Sequence, residues 1–289
     1  MAIDEGKIEG ITNLLESPGS LQTHILRVLY EKREHESPVA VQASDRVAIS
    51  SVMLLLGYIK SGDSMPPEIC VVLNKRSENV RQSGDLCCPG GAVELRMDRY
   101  LAKIASLPGF PLARWPYWTN LRREKPEEAL DLALLFATGL RESWEEMRLN
   151  PFGIRFLGTL PSHRLVLFRR VIFPMAGWIK RQERFVPSWE VEKIISIPIR
   201  ELLDPANYAR YRLHIVPHLK KKLPHSMEDH PCFLHRRDGH SEMLWGATYR
   251  IVMFFLKLIF GFTPPDPPPL PMISGILDEA YLNGRSNRV

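Results

Sequence analysis

Apolar positions along the chain change period several times, and each change marks an element. Between residues 1 and 37, Leu14, Leu21, Ile25 and Val28 recur at roughly helical spacing, and Ser17-Pro18-Gly19 interrupts them. This predicts one or two helices in an N-terminal extension, 1–44. RVAISSVMLLLGYIK (46–60) and EICVVLNKRS (68–77) are rich in apolar and β-branched residues and flank the turn SGDSMPP, which predicts a hairpin. GDLCCPGG (84–91) reads as a short strand ending in two glycines. Residues 95–125 look inserted, with a basic amphipathic stretch, LRMDRYLAKIASL, and an aromatic loop, RWPYWTN. Pro126-Glu127-Glu128 predicts a helix start, because Pro fits the first turn and acids suit the positive end of the dipole. That helix should run to about Leu149, where Asn150-Pro151 stops it.

The strand-like runs IRFLGTL, LVLFRRVIFPMAGWIK and VEKIISIPI follow. A His-rich loop is expected over 214–240, and a last helix from about Ala247. TPPDPPPLP opens an extended, poorly ordered C-terminal tail, 263–289. There is no internal repeat. Strands interleaved with two long helices predict an α+β fold, an α/β/α sandwich around a mixed sheet, over 45–262.

The hydrophobic content of 45% supports a sizeable core. The net charge of +5 suits an anionic ligand without implying nucleic acid, and Lys220-Lys221-Lys222 reads as a solvated loop. Cys70, Cys87, Cys88 and Cys232 form no CxxC pair and no disulfide framework, which predicts a reducing compartment. MAIDEGKIEGI has no signal-peptide apolar region, and IVMFFLKLIFGF (251–262) is too short to span a bilayer. The expectation is a soluble cytoplasmic protein with no membrane or nucleic-acid partner, and a homodimer is compatible with it.

Candidate chemistry concentrates in RESWEEMRLN (141–150). At about 100° per residue, Ala133, Ala137, Leu140, Trp144 and Met147 share one side of the helix, while Glu142, Glu145 and Glu146 share the other. The acidic side has two readings, a solvated face or a site for a hard divalent cation with oxygen ligands. Arg141 could brace the cluster through planar contacts with carboxylates. Upstream, Pro89-Gly90-Gly91 follows a strand, where glycines permit close backbone approach and expose N–H groups to phosphate oxygens.

Gly91, Arg141-Glu142, Glu145-Glu146 and Leu149 together resemble the signature of the Nudix hydrolases, G-x5-E-x7-R-E-U-x-E-E-x-G-U, where U is a bulky apolar residue. LNKRSENVRQSGDLCCPGG (73–91) is similar to the motif of the coenzyme A diphosphatase branch through Leu73, Arg76, Ser77, Arg81, Gly84, Pro89, Gly90 and Gly91. LWGATYRI (244–251) is similar to the segment that opens the last helix there. The sequence also departs from the signature. Gly91 and Arg141 stand 50 positions apart instead of 14, so 36 residues interrupt it. Met97 stands where the first glutamate belongs, and Glu94 or Glu128 could substitute. Arg148 stands where a glycine ends the helix, with Asn150 available for the turn. Ser143 stands at an apolar position and Cys88 at an aromatic one.

The resemblance implies a Nudix-like sandwich that hydrolyses a nucleoside diphosphate linked to another moiety, with Mg²⁺ or Mn²⁺ as cofactor. It implies Glu142 and Glu146 as primary metal ligands, Glu145 as a further one, and Glu142 or Glu190 as general base. Arg76, Arg81, Gly90 and Gly91 would bind a small nucleotide substrate, with coenzyme A foremost. NADH, ADP-ribose and dinucleoside polyphosphates are alternatives, as is a non-catalytic nucleotide-binding module. Cys87 and Cys88 read as buried strand residues, because metal-assisted hydrolysis needs no thiol. His214, His218, His225, His230, His235 and His240 match no compact zinc spacing. The aromatics of RWPYWTN read as pins to the core, and Trp245 as packing at the last helix. The insertion, 95–125, is expected to act as a lid or substrate-selecting wall.

Overall fold

In the computed structural model, which describes residues 5–45, 47–60, 66–165, 169–182, 184–215, 229–237, 239–267, 269–277 and 281, the apolar run after residue 47 becomes the central strand. This is β1 (Ala48–Lys60), buried along most of its length, as a strand covered on both faces must be. It pairs antiparallel with β2 (Pro67–Arg76), so the expected hairpin forms; residues 61–65 of its turn lie outside the described residues. On its other edge β1 runs parallel to β7 (Arg170–Ile179). β5 (Ile154–Thr159) and β6 (His163–Leu165) then pair antiparallel with β7. β2 also carries β3 (Leu86–Cys87) and β8 (Val191–Pro198). Parallel and antiparallel ladders therefore share one sheet.

Adjacent strand residues point to opposite faces, and β5 shows what covers each. Arg155 donates to Gln22 of α2 (Pro18–Glu31) at 2.9 Å. Phe156 packs on Phe136 of α6 (Pro126–Met147), ring centroids 4.7 Å apart. α8 (Gly246–Phe260) lies with α2, joined where a ring nitrogen of His24 meets the Ile259 carbonyl at 3.1 Å. The fold is thus α+β, with helices on both faces of a mixed sheet. α1 (Glu5–Glu16), α3 (Pro38–Asp45) and the short α7 (Ile199–Leu202) complete these layers. No helix among the described residues is long and apolar enough to cross a membrane.

The inserted segment forms α4 (Leu95–Ala105) and α5 (Trp118–Glu124). The aromatics of RWPYWTN turn inward, while Tyr100 of α4 is exposed. Trp115 and Trp118 are buried, and Tyr117 stacks on Tyr30 with centroids 3.6 Å apart. The segment is built into the core beside α6, which is a different placement from a lid standing over a site.

Residues 208–277 correct two expectations. The described residues of the His-rich stretch are mostly strand, where a loop is expected. β9 (Tyr208–Ile215), β10 (Asp229–Arg237) and β11 (His240–Leu244) form a second sheet, and His235 is buried with Nδ1 on Glu201 at 2.8 Å. His218 and His225 lie outside the described residues. Within the Pro-rich tail, β12 (Met272–Leu277) joins that sheet parallel to β9, where an extended, poorly ordered segment is expected. Beyond it, Tyr281 donates its hydroxyl to Asp85 at 2.6 Å, and Trp245 donates Nε1 to the other Asp85 oxygen at 2.9 Å. Burial pushes the Asp85 pKa up, and these two donors partly offset it. Tyr281→Phe leaves one buried carboxylate oxygen without its donor, so we expect a loss of about 1–3 kcal/mol in urea unfolding. Unchanged stability would contradict the brace.

Candidate functional site

The site forms where β1 and β2 diverge. Beyond Leu55, opposite Val72, β1 leaves β2 and pairs instead with β4 (Gly90–Ala92), matching Ser51 to Gly91 and Val52 to Gly90. Gly90 has φ +149°, and a Cβ there would collide with the Ser51 carbonyl oxygen and the Val52 backbone. A Cβ on Gly91 would meet the carboxylate of Glu142. Backbone leaves no room for a side chain at Gly90, and a side chain at Gly91 would push the Glu142 carboxylate aside. Gly91→Ala should therefore displace Glu142 and cut turnover while leaving the rest of the core intact. Full activity in that variant would argue against this contact.

α6 begins with Pro126 and two acids, as its sequence predicts, and ends at Met147. The terminating left-handed turn is Arg148 itself, φ 54° and ψ 37°; Asn150 instead caps the next turn by accepting from the Phe152 N–H at 3.0 Å. Ser143 is buried and donates to the Gly139 carbonyl at 2.6 Å, which explains a polar residue at an apolar position. Trp144 departs from its expected core role. It is exposed, with the Arg148 guanidinium 4.3 Å from its ring centroid. The buried stripe is centred on Gly139, Ser143 and Met147, and Trp144 falls at its margin.

The acidic side is not a solvated face. Glu146 accepts at one oxygen from Asn74 Nδ2 at 2.9 Å and from the Gly90 N–H at 3.1 Å. Burial raises its pKa to about 8, and the nearby Glu142 and Glu190 carboxylates push the same way. Glu142 is also raised, first by burial and only partly restrained by Arg141. Glu145 is more open, with 45% of its side chain exposed. Arg141 spans the group, with Nη1 at 2.9 Å from Glu142 and 3.2 Å from Glu145.

A residue that the spacing missed holds Arg141 in place. Asp98, fully buried on α4, accepts from Arg141 Nε at 2.8 Å and from Nη2 at 3.2 Å. Thr138 Oγ1 and the Glu94 N–H, both at 2.8 Å, complete its shell. Asp98 stands one position after Met97. Glu94 is exposed, and Glu128 pairs with Arg33 and Lys125 elsewhere. The signal was present in the sequence, since Asp98 shares a helical face with the buried Ala102 and Ala105.

The donor set fits a hard cation. Glu142, Glu145 and Glu146 each commit one oxygen to the protein, and among the described residues the other has no hydrogen bond. Asn74 Oδ1, beside Glu146, is a buried acceptor with no partner among the described residues. Such an orphan is costly unless something not yet present satisfies it. Among the described residues no three His, Cys, Asp or Glu side chains already converge on one point. Arg141 occupies the space between Glu142 and Glu145, so those two carboxylates would have to turn their free oxygens to a ligand.

The predicted anion-binding residues lie alongside. Arg76 ends β2, and its Nε donates to the Arg81 carbonyl at 2.7 Å, closing the 76–85 loop. The Glu190 carbonyl accepts from the Ser77 N–H at 2.9 Å, which brings Glu190 to the same loop. Cys87 is unsuited to be a nucleophile, because burial pushes its thiol up to about 12.

No protein-family profile matches the sequence, and no curated protein matches it. Among solved structures, a NUDIX hydrolase from Alicyclobacillus acidocaldarius matches at TM-score 0.39 and 12% identity, over 76% of this chain and 98% of that one. The NUDIX domain of Shewanella oneidensis NrtR, complexed with ADP ribose, matches at TM-score 0.33 and 16% identity, over 58% and 87%. A C. elegans Ap4A hydrolase matches at TM-score 0.32 and 12% identity, over 54% and 84%. These likenesses are partial.

Proposed function

We propose that this protein is a divalent-metal-dependent diphosphatase of the Nudix type, acting on a nucleoside diphosphate linked to another moiety. The observation that carries this reading is the acidic turn Glu142–Glu146, held against Gly90 and Gly91 and braced through Arg141 by the buried Asp98. Three carboxylates packed into a partly buried turn repel one another, and burial alone already drives Glu146 towards its neutral form. A site that pays this penalty suits a cationic ligand.

Glu142 and Glu146 would hold Mg²⁺ or Mn²⁺ as primary ligands, with Glu145 supplementing them. The bound cation supplies Lewis-acid polarisation of the diphosphate and lowers the pKa of water. Asn74 and the Gly90 N–H fix one Glu146 oxygen, so that the other is presented in one direction. Arg141 orients Glu142 and Glu145. The Gly90-Gly91 backbone lets a diphosphate approach closely, and Arg76 and Arg81 neutralise its charge. In the hydrolytic step water adds to one phosphorus and the bridging P–O bond breaks. The departing phosphate keeps that electron pair, and Glu142 or Glu190 takes the water proton.

Coenzyme A and its derivatives are the proposed substrate class, because Arg76, Ser77, Arg81 and Gly84 match that branch and arginines suit a 3′-phosphate as well as a diphosphate. Incubation with coenzyme A should release 3′,5′-ADP and a 4′-phosphopantetheine species, and Arg81→Ala should raise KM about 10-fold or more. Faster turnover of NADH, ADP-ribose or a dinucleoside polyphosphate would keep the chemistry and discard the coenzyme A assignment.

A further inference from the structure

Arg170 has no place in the signature, yet the sheet brings it to the same end as the candidate site. It opens β7 and pairs with Ala48 on β1. Ala92, whose carbonyl accepts from Arg141 Nη2 at 3.0 Å, pairs with Ser50, two residues further along the same strand. β7 and β4 flank opposite edges of β1. Arg170 and the Gly90–Ala92 strand therefore stand on either side of the β1 start, with Arg76 beyond the glycines at the end of β2.

The surroundings of Arg170 are those of a cation without a counter-ion. It is half-buried, and among the described residues its guanidinium has no ion pair and no hydrogen bond. Arg76 and Arg81 disfavour its charge, and the Glu142 carboxylate acts the other way. A half-buried guanidinium with like charges as neighbours is destabilising unless an anion arrives. Arg salt bridges elsewhere in the chain show the contrast, as where Arg212 Nε meets Asp229 at 2.7 Å.

We propose that Arg170 is a phosphate-binding residue, forming with Arg76 and Arg81 a three-arginine cradle beside the acidic turn for the anionic end of a nucleoside diphosphate. The assignment rests on the diphosphatase reading for its ligand class, and adds a residue from a strand remote in sequence. The cradle places one arginine on each flank of the glycine strand. A diphosphate, alone or with a separate phosphate, can then be held while the scissile bond faces Glu142 and Glu146.

The test is calorimetric titration of the full-length protein with ADP, and separately with inorganic pyrophosphate. It compares wild type, Arg170→Ala, Arg170→Lys and Arg27→Ala, the last replacing an exposed arginine on α2. Loss of a charge-assisted hydrogen bond should weaken ADP binding roughly 10- to 100-fold in Arg170→Ala. Partial recovery is expected in Arg170→Lys and no change in Arg27→Ala. Melting adds a readout that a structural arginine would move the other way: Arg170→Ala should melt at the same temperature as wild type or higher. Unchanged ADP affinity in Arg170→Ala overturns the proposal. So does a lowered melting temperature with affinity lost equally in Arg170→Lys and Arg170→Ala, which would mark a structural residue. The two readings fail separately. Arginine-dependent ADP binding in a protein without turnover would keep the cradle and remove the hydrolase. Turnover with Arg170-independent binding would do the reverse.

Discussion

Glu146→Gln is expected to lower turnover by about 10³-fold while leaving the fold intact. The amide has the shape of the carboxylate and can still accept from Asn74 Nδ2 and the Gly90 N–H at its oxygen. Its second atom becomes an NH₂ group, which cannot ligate a cation, so the chemistry is lost without disturbing the packing. The same substitution has a signed effect on stability. Burial raises the Glu146 pKa from its ordinary value near 4.5 to about 8. A group raised in the fold contributes stability that is fully present below its unfolded pKa and lost as pH rises through the folded one. In EDTA the wild type should therefore lose stability relative to Glu146→Gln between about pH 5 and pH 9, and added Mn²⁺ should abolish that difference. Parallel denaturation curves across that window would show that the carboxylate is not desolvated in this way.

The second large effect is structural. Asp98→Ala removes the partner of a guanidinium whose own side chain is 6% exposed. Leaving the buried Nε–H without its acceptor, and Nη2 with the Ala92 carbonyl only, should cost about 1–3 kcal/mol in urea unfolding. Glu142 and Glu145 cannot take over, because Nη1 already serves both, whereas Asp98 meets Nε and Nη2. Replacing both members together, Asp98→Leu with Arg141→Met, should recover most of the stability and none of the activity. The double variant thus separates the folding role of the pair from its role in aiming carboxylates. If Asp98→Ala alone were as stable as wild type, the brace would have no energetic weight.

Sequence periodicity was sufficient for the elements that carry the site. α6 spans 126–147 because Pro126 with two acids opens it, and 46–60 is too uniformly apolar to be anything but a central strand. The clustering of Glu142, Glu145 and Glu146 follows from helix geometry alone. Periodicity was insufficient where a long-range partner decides the outcome. Asp98 is a single acid on the buried face of an amphipathic helix, and only the fold reveals that Arg141 lies opposite. Arg148 takes the left-handed turn where a glycine was expected, stabilised by its stacking on Trp144. The second sheet was hidden by composition. YARYRLHI (208–215) alternates buried Tyr211 and Leu213 with Arg210 and Arg212, whereas the histidines spread over 214–240 read as a polar loop. Tyr281 belongs to the same class, since nothing local ties a tyrosine after a Pro-rich stretch to Asp85.

The most direct measurement is turnover of coenzyme A, acyl-coenzyme A, NADH, ADP-ribose and diadenosine polyphosphates by the purified full-length chain. Each substrate would be assayed with Mg²⁺, with Mn²⁺ and with EDTA, beside Glu146→Gln. Diphosphate cleavage of at least one of these is expected, dependent on the added cation and lost in the variant. Cleavage that persists in EDTA or in Glu146→Gln would contradict it, as would ligand binding without turnover of any substrate under every metal condition.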